Sequence, residues 1–193
     1  MKIGVLAAQG AFIEHEAVLK KLGVAVKEVR LPADLDGLDG LIIPGGESTT
    51  MVRLMNEYQL TDKLKELIKN GFPVFGTCAG MILLAKKNSS TFPEPLGVMD
   101  IIVKRNAFGR QIDSFETDLP IPVLGKKPFH AVFIRAPLIE HIDEKKVDVL
   151  ARLENGTIVA ARQGKLLVSS FHPELTEDTR FHQYFLDIVS ERN

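Results

Sequence analysis

Two features of this chain could carry covalent chemistry: a single cysteine and a histidine two residues before a glutamate. Cys78, the only cysteine, lies in Phe75-Gly76-Thr77-Cys78-Ala79-Gly80-Met81. Apolar Pro73-Val74-Phe75 reads as the end of a buried strand and Met81–Ala85 as a helix. Gly-x-Cys-x-Gly therefore falls at a sharp strand-to-helix turn. A side chain on such a turn points out of the sheet, and small neighbours let a substrate approach. The helix N-terminus behind the sulfur favours thiolate, which is how a nucleophile is built. Read by itself, the motif also fits a buried cysteine acting as a small hydrophobe.

A thiol nucleophile needs a base, and the base needs an orienting group. His172 stands in Ser169-Ser170-Phe171-His172-Pro173-Glu174, which closes the last predicted strand. In extended chain, residues two apart share a face, so Glu174 is expected beside His172. A carboxylate there fixes the imidazole tautomer and stabilises the imidazolium. Alone, the segment is also a surface His-Pro-Glu turn. The other histidines read as structural or solvated: His15 and His182 on predicted helices, His130 opening a strand, His141 in a charged segment. No His, Cys and carboxylate set has metal-ligand spacing, and Asp34-Leu35-Asp36-Gly37 lacks the later ligands of a calcium loop, so no metal and no cofactor are expected. Pro44-Gly45-Gly46-Glu47-Ser48 lacks the Gly-Lys-Ser/Thr ending of a phosphate loop. Its glycines free the backbone to turn N–H groups toward a ligand. One of these, with the Ala79 N–H, would make an oxyanion hole, although a plain strand-to-helix turn fits as well.

The elements that must position these residues alternate through the first half. Ile3–Ala7, Val24–Val29, Leu41–Ile43 and Val74-Phe75 read as short buried strands. Helical spacing fills the segments between them: Phe12 to Leu22 with a stop at Gly23, Ser48 (as cap) through Glu57, and Thr61–Lys69. Strands alternating with helices mean a parallel sheet covered on both faces, and ligands bind at the carboxyl ends of its strands. Cys78 and the Gly45-Gly46 turn both fall there. The second half is richer in strands. Val98–Val103 and Phe129–Ile134 come first. A meander of Val147–Leu153, Thr157–Ala161 and Leu166–Ser170 turns at Asn155-Gly156 and Gln163-Gly164, and Phe181–Val189 is a closing helix. No repeat, low-complexity tract or linker interrupts the chain, so one domain over residues 1–193 is expected.

A hydrophobic content of 45% over 193 residues supports one substantial core. A net charge of −1 gives no reason to expect nucleic acid or an anionic membrane as partner. No apolar run approaches a membrane span, and the apolar start at Met1–Ala11 is too short for a signal peptide. With one cysteine no internal disulfide can form, which suggests a reducing, cytoplasmic setting.

With the cysteine turn, the diglycine turn and His172-Pro173-Glu174 assembled, the chain resembles the class I (triad) glutamine amidotransferases. Within them it is most similar to the family of glutaminase subunits of pyridoxal 5′-phosphate synthases. The segments that carry the resemblance are Gly4–Phe12, Pro44–Thr50, Phe75–Ala85, Arg105-Asn106-Ala107-Phe108-Gly109-Arg110-Gln111, Phe133-Ile134-Arg135-Ala136-Pro137 and Phe171–Thr176, with no departure at these positions. The cysteine turn and His-x-Glu are shared across the class, whereas the remaining blocks are specific to the subunit.

This resemblance implies a three-layer, flavodoxin-like α/β fold, a mostly parallel sheet flanked by helices with an added β-rich second half. It also implies hydrolysis of L-glutamine: Cys78 attacks the side-chain amide, His172 moves the proton and Glu174 orients His172. The oxyanion hole would be the backbone N–H groups of Gly46 and Ala79. Glutamine would be bound by Gly46, Glu47, Ser48, Arg105, Ile134 and Arg135, where arginine suits the α-carboxylate and Glu47 the α-ammonium. The implied partner is a ring-forming synthase subunit that takes the ammonia through a tunnel and whose docking activates the glutaminase. A reorientation of the Gly45-Gly46 peptide, sensed near Gln9-Gly10, would be the switch. Three alternatives remain at the level of sequence: an amidotransferase subunit serving another synthase, a cysteine hydrolase on a related fold, and a non-catalytic scaffold. The hydrolase is disfavoured because Ala79 stands where such enzymes place histidine, and the scaffold by the intact Cys78, His172 and Glu174.

Overall fold

The computed structural model describes residues 1–89, 94–105 and 114–191. Its centre is a run of five parallel strands, β1 (Lys2–Leu6), β2 (Ala25–Val29), β3 (Gly40–Ile43), β4 (Val74–Thr77) and β12 (Leu166–Ser169), in the order β2-β1-β3-β4-β12. The sequence of each inner strand explains its place. Ile42, Phe75 and Leu167 pack into one hydrophobic cluster, while Leu41, Ile43, Val74, Leu166 and Val168 pack into another. Neighbouring residues thus face opposite sides, and both sides are apolar, as a parallel sheet covered on both faces requires.

Helices supply the covers. α1 (Phe12–Lys21) and α5 (Arg180–Ser190) bury Leu19, Phe181, Phe185 and Ile188 on one face. α2 (Ser48–Glu57), α3 (Leu60–Lys69) and α4 (Ala79–Leu84) bury Met51, Met55, Leu64 and Leu83 on the other. Among the described residues, no helix is long and apolar enough to cross a membrane.

The β-rich half extends this sheet. β11 (Ile158–Gln163) pairs antiparallel with β12 in the hairpin expected at Gln163-Gly164, and β10 (Asp148–Arg152) adds to β11. β5 (Ala85–Asn88), β6 (Met99–Lys104) and β9 (Leu138–Ile142) carry the sheet outward, and β7 (Ser114–Leu119) with β8 (Phe129–Ile134) forms a separate antiparallel pair.

Three strands, β5, β7 and β9, were not anticipated. β5 follows α4 without a break, so Ala85, expected at a helix end, begins a strand whose other residues, Lys86, Lys87 and Asn88, are polar. In β7 exposed Glu116 and Asp118 alternate with Phe115, Thr117 and Leu119, and in β9 the adjacent exposed Glu140 and His141 break the alternation. A second correction concerns α2. Ser48 is its first residue, and the cap is Glu47, whose carboxylate accepts hydrogen bonds from the N–H groups of Thr49 (3.1 Å) and Thr50 (2.6 Å). The expected Arg105–Gln111 block lies, beyond Arg105, outside the described residues.

Candidate active site

Cys78 follows β4 directly and caps α4, with φ 49° and ψ −103°. This left-handed conformation is strained for a residue with a Cβ and is held by its surroundings. The Cys78 N–H donates to Ser169 O at 2.8 Å, and its carbonyl accepts from Met81 N–H at 3.1 Å. α4 then runs so close to β3 that a Cβ on Gly80 would lie 2.1 Å from the Ile43 carbonyl oxygen. The expected strand–turn–helix is present, and it is locked by packing.

His172 comes from the carboxyl end of β12, the neighbour of β4 in the sheet. Its N–H donates to Val132 O at 2.8 Å, which ties it to β8. Its Nδ1 lies 2.7 Å from Glu174 Oε1. The pairing expected from sequence is present, but its cause differs. Pro173–Leu175 forms a 3-10 turn, so the two side chains meet by curling back and not by alternation along a strand. Burial disfavours the imidazolium of His172, yet Cys78 on one side and Glu174 on the other outweigh it and push its pKa up to about 10. Burial likewise raises the Glu174 carboxyl, but His15 and His172 facing it hold it below the usual carboxylate range. His172 therefore keeps a proton over the neutral range between a sulfur and a carboxylate.

These residues open into a cleft of about 490 Å³ at the carboxyl ends of the parallel strands. Cys78, Ala79, His172, Gly46, Glu47, Ser48, Arg105, Ile134 and Arg135 all line it, so every residue singled out in the sequence except the buried Glu174 reaches one cavity. Arg135 sits just beyond β8 at φ 42°, a second strained non-glycine residue in the same cleft. The Arg105 N–H donates to Ser89 Oγ at 3.2 Å, and its guanidinium lies 3.9 Å from Glu47 Oε1. Hydrogen bonds from Thr49 and Thr50 hold the Glu47 carboxyl down from 4.5 to about 2, so it is an anion committed to capping α2.

The cleft also includes Gln9 and Gly10, from the turn between β1 and α1. The Ala11 N–H donates to the Gly45 carbonyl at 3.2 Å, and the Glu47 N–H donates to Gln9 Oε1 at 2.6 Å. Gly10, at φ +92°, approaches so closely that a Cβ there would lie 1.8 Å from the Gly45 oxygen. The diglycine peptide is thus oriented by the β1–α1 turn. The Ala79 N–H, at the first position of α4, falls outside that helix's own hydrogen-bond ladder.

Sequence reasoning passed over two histidines that the fold brings here. His15 on α1 and His182 on α5 are completely buried, and His15 Nε2 lies 3.4 Å from Glu174 Oε2. Nothing local in the sequence signals this, because α1 and the Pro173 turn meet only through the tertiary fold. His130, by contrast, is exposed between Asp118 and Glu116, which raise its pKa.

Comparison with known proteins bears on what such a cleft does. Residues 5–191 match the SNO glutamine amidotransferase family. A protein of Herpetosiphon aurantiacus described as pyridoxal 5′-phosphate synthase subunit PdxT is 58% identical over 97% of this chain and 100% of its own length. The PdxT of Thermotoga maritima is 53% identical over 98% and 100%. A crystal structure described as a glutamine amidotransferase superposes with a TM-score of 0.92 at 52% identity, covering 98% of this chain and 99% of the other. PurLQS of Thermotoga maritima, 16% identical over 98% of this chain and 99% of its own, has a TM-score of 0.71 and shares the fold.

Proposed function

The chain belongs to the SNO glutamine amidotransferase family, and from that membership we propose that it is the glutaminase subunit of a pyridoxal 5′-phosphate synthase. The observation that carries this reading is the end-to-end likeness to PdxT proteins, 58% identical in the first case. The subunit hydrolyses L-glutamine to L-glutamate and ammonia, and hands the ammonia to a ring-forming synthase subunit. There it is joined with ribose 5-phosphate and glyceraldehyde 3-phosphate.

The cleft supports a triad mechanism. The Cys78 sulfur attacks the amide carbon of the glutamine side chain while His172 carries the proton that the two share. The tetrahedral oxyanion is met by the N–H groups of Gly46 and Ala79. Collapse breaks the C–N bond, and His172 gives the proton to the departing nitrogen, releasing ammonia and leaving a glutamyl thioester. Water, deprotonated by His172, then opens the thioester to glutamate and free thiol. Glu174 orients the imidazole through its 2.7 Å contact. Arg105 and Arg135 suit the substrate α-carboxylate, Ile134 packs its methylenes, and Gly46, Glu47 and Ser48 face its polar end. With the Glu47 carboxylate already holding Thr49 and Thr50, its share in binding the α-ammonium is one further contact at an occupied group.

The hydrogen bonds from the β1–α1 turn to the diglycine peptide supply a route for partner control. A synthase that moves Gln9-Gly10 also moves the Gly45-Gly46 peptide, and with it one donor of the oxyanion hole. Hydrolysis without an acceptor wastes glutamine, and this linkage restrains it. A single domain over residues 1–193 suits the reading, as does a cytoplasmic location.

The test is glutamate release from L-glutamine, with and without the synthase subunit, with Cys78→Ala as control. Release that depends on Cys78 and rises on adding the synthase is expected. Release indifferent to the synthase would assign the ammonia to another acceptor, and no release in either case would overturn the glutaminase reading.

A further inference from the structure

The proposed triad leaves one atom of its carboxylate unexplained. Glu174 Oε1 is paired with His172, whereas Oε2 is buried with no hydrogen-bond partner among the described residues. An orphaned carboxylate oxygen in an apolar interior costs more than a single net hydrogen bond contributes. Oε2 faces His15 Nε2 at 3.4 Å, and the same nitrogen lies 3.2 Å from Oγ1 of Thr77, the residue before Cys78. Behind it, His15 Nδ1 lies 2.9 Å from His182 Nε2. Phe75 meets both rings edge-on, with centroids 6.2 Å and 5.9 Å away.

Burial lowers the pKa of His15, and it lowers that of His182 to about 3, so both rings are neutral and each carries one proton. Their placement favours one arrangement of those protons. If His182 carries its proton on Nε2, it donates to His15 Nδ1. His15 must then carry its own proton on Nε2, aimed between Thr77 Oγ1 and Glu174 Oε2. The atom left over is His182 Nδ1, which has no partner among the described residues. In this arrangement it is a bare lone pair and not an orphaned N–H. The reverse arrangement would aim a lone pair of His15 at the carboxylate.

We propose that His15 is a positioning residue of the active site, donating from Nε2 to the second oxygen of Glu174 with its tautomer fixed by His182, so that the triad extends inward to a histidine pair. The proposal rests on Glu174 being the orienting carboxylate, as argued above. His15 acts through Glu174: held at both oxygens, the carboxylate stays ionised and cannot rotate away from His172. The titratable groups facing Glu174 are His172 on its own segment, with Cys78 beyond it, His15 on α1 and, behind that, His182 on α5. Glu14 on α1 adds to the field at His15. β8, which also packs on the Pro173 turn, has His130 turned outward to Asp118 and Glu116.

The test compares glutamate release by the synthase complex carrying the unaltered chain, His15→Phe, His15→Gln or His182→Phe. Loss of the donor raises the Glu174 pKa, so Glu174 is protonated at higher pH. His15→Phe is expected to lower kcat roughly tenfold or more with little change in KM, and to move the acid limb of the kcat profile upward. His15→Gln, which can still donate an N–H, should recover most of both, and His182→Phe should give a smaller loss in the same direction. A kcat loss in His15→Phe with an unmoved acid limb and no rescue by glutamine would reduce His15 to a packing role and overturn the proposal. Ring 15N shifts of the unaltered chain give a reading that no folding defect can blur. They should report neutral Nε2–H tautomers for His15 and His182 at neutral pH, and a His15 proton on Nδ1 would overturn the proposal. Failure of the glutaminase reading is separate, since it would appear as no Cys78-dependent release by the unaltered complex.

Discussion

The turn bearing Cys78 and the turn bearing Gly45-Gly46 end neighbouring parallel strands and meet in one cleft, yet they are held by different forces. The cysteine turn is fixed from within. Its strained backbone is clamped by β12 and by α4, which presses on β3 closely enough to exclude any side chain at Gly80. The diglycine turn is fixed from the side, by hydrogen bonds to Gln9 and Ala11 that a modest movement of the β1–α1 turn would break. On the proposed reading the nucleophile is therefore built into the core, whereas Gly46, one of the two oxyanion donors, is attached to a surface loop. Dense packing resists gradual change, and hydrogen bonds at a surface can be exchanged for others at little net cost.

The largest effects should come from the rigid side. Cys78→Ala and His172→Ala are each expected to reduce glutamate release at least about 10⁴-fold, because residues that act as a unit fail together. Glu174→Gln should lose roughly ten to a hundred times less. A His172→Ala enzyme that kept most of its rate would remove His172 from the chemistry and the contrast with it.

Substituting the two tight glycines sharpens the comparison. Gly80→Ala forces α4 off β3 and should cost about 3 kcal/mol in urea unfolding. Gly10→Ala sets a Cβ as hard against backbone, 1.8 Å from the Gly45 oxygen, and adds the strain of a positive φ, so a comparable loss of about 3 kcal/mol is expected together with an altered response to the synthase. An unaltered response would separate the β1–α1 turn from the diglycine peptide. A gentler probe is Gln9→Leu, which removes the acceptor for the Glu47 N–H. The ratio of synthase-bound to free glutaminase rates should change while the melting temperature barely moves. An unchanged ratio would detach the β1–α1 turn from activation.

The smallest effect concerns the Glu47 cap. Glu47→Ala should destabilise the fold by about 1 kcal/mol at neutral pH. Because its folded pKa is depressed to about 2, the contribution is fully present above 4.5 and is lost as pH falls toward 2. The difference between the two proteins in thermal unfolding should shrink across that window.

What could be read from the sequence follows the same division. The cysteine turn was legible because strand, turn and helix are contiguous and each leaves a local mark. His172 and Glu174 were legible as a pair because only Pro173 separates them, although the 3-10 turn that joins them was not. The capping role of Glu47 was hidden by the stronger capping preference of the serine beside it. The partnership of Glu174 with His15 and His182 left no mark at all, since it arises only when α1 and α5 pack on the same face of the sheet. β5, β7 and β9 escaped because their outward residues are charged and their apolar runs are short.

The position of β12 also bears on how the protein is made. β12 lies between β4 and β11, although the chain reaches it only after the whole antiparallel half. During synthesis β1 to β4 emerge first, and β12 follows only after the antiparallel half. Until residue 166 leaves the ribosome, β4 is an open apolar edge, the kind of surface that invites pairing with other chains. His172 arrives with the strand that closes this edge. On the proposed reading a nascent chain thus acquires its base and loses its open edge in the same event.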